Sequence, residues 1–203
     1  MRGSYLKIAG LVCCWLIVIS SAIARNEKSN SVVIYSLQDI SITGHTNINS
    51  FFLKYTGNEG VVKSVKKDDI SDPKKANSVI SIPVNEFTFS NALMKKDFLK
   101  MIKAKEYAAI PIQFKGIKDP TLFKDGDKQL VAVDITIAGV TKSLNICCRI
   151  DKINNNQYKL SGSKSLLLTD FNLKPPTKCL GIVKVENEIQ IEFNLKLDLG
   201  SYN

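Results

Sequence analysis

The stretch VAVDITIAGVTKSLNICCRI, residues 131–150, alternates with a period of two on both sides of a glycine. Val131, Val133, Ile135 and Ile137 fall on one face, against Ala132, Asp134, Thr136 and Ala138 on the other. After a turn over Gly139 to Lys142 the chain returns with Leu144, Ile146, Cys148 and Ile150 opposite Ser143, Asn145, Cys147 and Arg149. Successive side chains of a strand point to opposite faces, so the pattern specifies an antiparallel hairpin with one buried and one wet face. Cys148 is expected to face in and Cys147 out.

The same period extends outward. A turn at Asn154 to Gln157 leads into a strand from Tyr158 to about Thr169, and a closing strand carries Ile189, Ile191, Phe193, Leu195, Leu197 and Leu199 on one parity. Upstream, strands are expected at Ser31 to Leu37, Ile40 to Ile48, Gly60 to Lys67, Asn77 to Phe89 and Tyr107 to Ile117. One segment breaks the period: from Ala92 to Glu106, Met94, Phe98, Met101 and Ile102 recur at helical spacing among lysines, after Asn91 as N-cap. A short helical turn is expected at Ser50 to Tyr55, where Phe51, Phe52 and Tyr55 cluster. The reading is an all-β chain of about eight or nine strands, an antiparallel eight-stranded barrel with one short amphipathic helix.

Composition agrees with a folded chain: 44% of the 203 residues are apolar, 23% are charged, and Gly and Pro are sparse. Arg2 and Lys7, the apolar run Ile8 to Ile19, and Ala22-Ile23-Ala24 read as a secretory signal peptide over residues 1–24. That run falls short of the roughly 20 residues needed to span a bilayer. Residues 25–203 are expected to form a single domain without repeats or linkers, periplasmic or secreted, with no stable membrane span. The net charge of +9 could suit an acidic partner. Export and the scattered lysines, with no interleaved aromatics, argue against nucleic acid.

The inventory of reactive residues is thin. Of the five cysteines, Cys13 and Cys14 leave with the signal peptide, and Cys147, Cys148 and Cys179 remain, an odd number that rules out a full disulfide framework. The lone histidine, His45, excludes metal sites built from several histidines. It reads as a strand-end residue in a structural hydrogen bond rather than a general base. Cys148 sits among core residues and reads as a small hydrophobe. No nucleophile elbow or phosphate-binding glycine loop is present. No catalytic or metal residue is assigned.

Several segments, in order, resemble the YceI-like family of exported lipid-binding proteins. Ile42-Thr43-Gly44-His45-Thr46-Asn47-Ile48 is similar to its early strand, and Asp97-Phe98-Leu99 through Lys105-Glu106-Tyr107, then Ile110-Pro111-Ile112-Gln113-Phe114, to its helix and following strand. Ile135-Thr136-Ile137-Ala138-Gly139-Val140-Thr141-Lys142 resembles its hairpin; Ser161-Gly162, Thr169-Asp170-Phe171-Asn172-Leu173-Lys174-Pro175-Pro176 and the last strand complete the series. The resemblance implies a lipocalin-like barrel that holds a long isoprenoid or related amphiphile without covalent chemistry. Departures are Ala108-Ala109 after the helix, the polar segment from Lys118 to Gln129, and Cys179 after the two prolines.

The expected function is non-enzymatic binding of a long apolar or isoprenoid-type lipid, for carriage or storage outside the cytoplasm. No cofactor is called for beyond the lipid itself, an isoprenoid quinone, polyprenyl or fatty acyl chain. Burial of about 0.8 kcal/mol per methylene must offset an association cost of roughly 4–15 kcal/mol, so about a dozen or more carbons are needed. The candidate wall is Val131, Val133, Ile135, Ile137, Ile146, Cys148, Phe193, Leu195 and Leu197, with Met94, Phe98 and Met101 on the helix as a lid. Position in the resembling motif makes Phe171 a mouth residue. The competing readings are a packed-core interaction module with a basic surface and a small-ester hydrolase using His45. The lipid's identity and any homodimer stay open.

Overall fold

The computed structural model describes residues 30–56, 62–66, 78–116, 123–178, 180 and 182–202. The expected signal peptide and Cys179 lie outside the described residues. The chain forms β1 (Asn30–Thr46), β2 (Ser50–Thr56), β3 (Val62–Lys66), β4 (Ser78–Pro83), β5 (Thr88–Phe89), helix α1 (Ala92–Met101) and β6 (Ala109–Gly116). It continues with β7 (Lys128–Ile137), β8 (Val140–Lys152), β9 (Gln157–Leu167), β10 (Thr177–Lys178) and β11 (Val183–Tyr202). Short 3-10 turns occupy Val84–Glu86 and Leu168–Phe171.

Among the described residues all pairings are antiparallel, in one curled sheet ordered β4-β6-β7-β8-β9-β11-β1-β2-β5, with β3 added to β1 and β10 to β11. The expected eight-stranded barrel is therefore an eleven-stranded half-barrel among the described residues. The difference lies in the length of β1 and β11, 17 and 20 residues, which outrun their neighbours. One half of β1 pairs with β2 and the other with β3, so a single long strand recruits two short ones on the same edge. β3 in turn approaches β4, with Cα atoms within 8 Å, and the curl nearly meets itself there.

Five expectations change locally. The strand expected at Asn77 to Phe89 is broken into β4 and β5 by the 3-10 turn Val84–Glu86. The strands expected at Ser31–Leu37 and Ile40–Ile48 are one strand with a bulge between Leu37 and Asp39. The extra residue shifts the parity, so that Leu37 and then Ile40 and Ile42 all face the core. Ser50–Tyr55 is strand β2, not a helical turn: Leu53 and Tyr55 are buried and Phe52 is exposed, the period of two that the aromatic cluster obscured. The β7–β8 turn is the two-residue Ala138-Gly139, shorter than the expected Gly139 to Lys142. Both residues have positive φ, 49° and 81°, the geometry that matches the twist of a tight hairpin. Helix α1 begins as expected, with Asn91 Oδ1 accepting from the Met94 N–H at 2.8 Å, but ends at Met101 instead of Glu106. Lys103, at φ 55°, turns the chain back toward β6.

The half-barrel has two unlike ends. At one, the segment 123–127 folds over the ends of β7 and β8, held by Gly126 N–H to Ile150 O and Ile150 N–H to Asp127 O, each at 2.8 Å. There Phe123 meets Tyr158 edge to face, with ring centroids 5.9 Å apart, and Ile150, Leu160 and Leu197 are fully buried. That end is plugged. At the other end lies α1.

Candidate functional site

Between the plug and α1 the interior is not filled. A cavity of about 460 Å³ runs between the sheet and the helix, within the usual range for small-molecule sites, and it opens to solvent beside exposed Phe52 and Leu93. It has room for on the order of fifteen or more methylene-sized groups.

The inward parity of each strand supplies the wall. Val133, Ile135, Ile137 and Ile146 line it from β7 and β8, and Phe193 and Leu195 from β11, as expected from their alternation. Met94, Phe98 and Met101 line it from α1. Val131, Cys148 and Leu197 of the expected wall and the expected mouth residue Phe171 do not line it; all four are buried in the core. Val131, Cys148 and Leu197 have the right parity but sit nearer the plug. Phe171 is buried in the 3-10 turn after β9, while its neighbours Leu168 and Leu173 reach the wall. Strands read only by their boundaries contribute as much again: Ile40 and Ile42 on β1, Ile80 and Ile82 on β4, Ile110 and Ile112 on β6. Their own alternation was the available signal.

Two glycines shape the wall. A Cβ at Gly162 would lie 2.6 Å from Cζ of Phe193, its cross-strand partner, and one at Gly44 would lie 2.2 Å from Cζ of its partner Phe51. Each phenyl ring lies over a glycine and so stays flat against the sheet, which leaves the interior open. On the helix, Phe98 joins Phe87 and Phe89 at centroid distances of 5.6 and 5.3 Å, and Phe87 meets Tyr55 at 5.7 Å. Burial, with Glu86 adding a smaller contribution, raises the Tyr55 hydroxyl above its ordinary range and keeps it neutral. No residue of α1 is fully buried, so the helix rests on the opening by one half-buried face.

Charge at the cavity is sparse. Lys164 and Asp97 are the charged side chains on its described wall. Lys164 occupies the inward parity of β9, in line with Tyr158, Leu160, Gly162 and Leu166, where an apolar residue would be the rule. The ladder between β8 and β9 runs only as far as Cys148 and Gly162, so Lys164 stands where the two strands have parted. Sequence reading passed over it, although a lysine at apolar parity was the signal.

Of the reactive groups singled out in the sequence, His45, Cys147 and Cys148 lie among the described residues. His45 Nδ1 lies 2.8 Å from Ser50 Oγ across the β1–β2 hairpin, the structural hydrogen bond expected, on the outward parity and exposed to solvent. The Cys148 thiol is buried and pushed up to about 11, mainly by burial and further by Cys147, so it carries no thiolate at neutral pH. Among the described residues no group of three or more His, Cys, Asp or Glu could hold a metal ion, and no helix is long and apolar enough to cross a membrane.

The fold has solved counterparts. A polyisoprenoid binding domain from Saccharophagus degradans superposes with a TM-score of 0.61 at 9% identity, covering 82% of this chain and 98% of that one. BcnA of Burkholderia cenocepacia matches at 0.47 and 14% identity over 82% and 95% of the two chains, and a Campylobacter jejuni YCEI protein at 0.49 and 16% over 65% and 78%. No curated protein is similar enough to register as a match. At such identities the likeness is one of fold, but the sequence profile of the YceI-like domain matches residues 35–197, from within the bulged first strand to within the last wall strand, and the chain belongs to the YceI-like family.

Proposed function

We propose that this protein binds a long apolar or isoprenoid-type lipid in the half-barrel, without chemical conversion, for carriage or storage outside the cytoplasm after removal of residues 1–24. The observation that carries the reading is the apolar cavity of about 460 Å³, since a packed interaction module would have closed it. Burying about fifteen methylenes is worth roughly 12 kcal/mol, which exceeds all but the upper end of the association cost of roughly 4–15 kcal/mol. The polyisoprenoid-binding domain of like fold supports an isoprenoid chain among the candidates. Lys164 supports an amphiphile, its tail among the isoleucines and its anionic or polar head against the ammonium.

Organic extraction and mass spectrometry of protein recovered from its native host should release a stoichiometric lipid, and a fluorescent fatty acid should be displaced by a quinone or polyprenol. Protein that yields no lipid and takes up none of these probes would leave the proposal without support.

A further inference from the structure

We infer that the rim of the cavity is a docking surface for an anionic phospholipid bilayer, from which the ligand enters or to which it leaves. The inference rests on the lipid-binding reading for its purpose but on separate residues for its geometry.

Large apolar side chains on a monomer surface are usually scattered. Among the described residues Leu130 and Ile153 stand singly at the plugged end, whereas five others lie on or beside segments of the open end. Phe52 and Leu93, 63% and 60% exposed, belong to the cavity wall itself. Ile48, 64% exposed, lies in the β1–β2 turn between the wall residues Thr46 and Asn49, and Ile182, 68% exposed, immediately precedes wall residue Val183. Leu180, two residues earlier, is fully exposed. The turn and the 182–184 segment are joined: Asn47 Nδ2 donates to Ile182 O at 2.8 Å, and Asn47 Oδ1 accepts from the Lys184 N–H at 2.8 Å. One asparagine thus joins the turn that carries Ile48 to the segment that carries Ile182, far apart in sequence.

The net charge of +9 favours an anionic lipid surface over a neutral one. On the segments that carry wall residues both signs are present: Lys96, Lys100, Lys174 and Lys184 are exposed and Lys95 reaches Asn85 O at 3.3 Å, against Glu86, Asp97, Asp170, Glu186, Glu188 and Glu192. Apolar side chains that enter the acyl boundary, flanked by lysines at headgroup depth, are the pattern of an interfacial protein. The continuity of the apolar rim with the apolar cavity selects a bilayer over a water-soluble partner. A chain sliding from acyl region to cavity would pass along Phe52 and Leu93 at the opening.

The test compares native protein with the variant Ile48→Asp/Leu180→Asp/Ile182→Asp, all outside the cavity wall, on vesicles of phosphatidylcholine with and without phosphatidylglycerol. Native protein should float with the mixed vesicles, and the variant should lose at least about tenfold in binding while taking up a dissolved fluorescent fatty acid as before. Hydrogen exchange should slow on vesicle addition at 47–52 and 182–185 and stay unchanged in β7 and β8. Equal flotation of both proteins, no protection at the rim, or a dimer that the triple variant dissolves would overturn the inference, the last assigning the patch to a second copy. Rim protection with no fatty-acid uptake by native protein would instead remove the cargo reading and leave the docking surface standing.

Discussion

Gly162 and Gly44 hold the cavity open by what they lack. A side chain at Gly162 must displace the Phe193 ring, which lines the cavity. Gly162→Val is expected to cost about 1–3 kcal/mol in a denaturant melt and to lower uptake of a fluorescent lipid at the same time. Loss of stability with uptake intact would show that the ring moves elsewhere. The adjacent cysteines make a second contrast. Cys147 is exposed and Cys148 buried, so the native protein should be alkylated once in the peptide Ser143–Arg149 and twice after unfolding. Because Cys148 is raised from 9.0 to about 11, the unfolded chain loses that proton first. The stability from keeping the thiol neutral is intact below about pH 9 and is lost as the pH rises through 11, on the order of 2–3 kcal/mol in all. Urea melts at pH 8 and pH 11 should show this loss in the native protein and not in Cys148→Val.

Helix α1 and the β7–β8 hairpin are elements of opposite character. The helix is capped by Asn91 and pinned through Phe98, yet none of its residues is fully buried, which places its opening at the low end of local stabilities. Asn91→Ala should remove about 1 kcal/mol and speed amide exchange within 92–101 while leaving β7 to β9 unchanged. Exchange that rose uniformly would mean that the helix opens only with the sheet. The hairpin instead carries a local strain, since Ala138 holds a left-handed backbone that an L-alanine disfavours. Ala138→Asn supplies the residue that such a two-residue turn prefers and should raise the melting temperature by about 2–4 °C.

The molecule as a unit is a sheet whose two ends do different work. Near the plug, Leu197 is fully buried and off the cavity wall; near the helix, Ile135 borders the cavity. Leu197→Ala should therefore cost about 2–5 kcal/mol, while Ile135→Ala should cost less, because one side of that isoleucine already lacks packing partners. Thermal melts of the two variants would separate the ends, and equal losses would contradict an unfilled interior. A bound lipid should stabilise the native protein by about 2.7 kcal/mol at a hundredfold excess over its dissociation constant.

How far all this was legible in the sequence follows from range. The period of two in 131–150 and 189–199, the Asn91 cap and the inward Cys148 depend on neighbours a few residues away, and the alternation carried them intact. The bulge at Gln38, the strand at Ser50–Thr56 and the double partnership of β1 arise from pairing between distant segments, for which local pattern holds no record. Parity told which side chains face inward but not how deep they lie. Val131 and Val133 share one parity, yet the plug of Phe123 and Tyr158 leaves the first packed and the second on open space. The cavity is a matter of volume left over after all strands and the helix have met, and so it was decided only when the sheet curled.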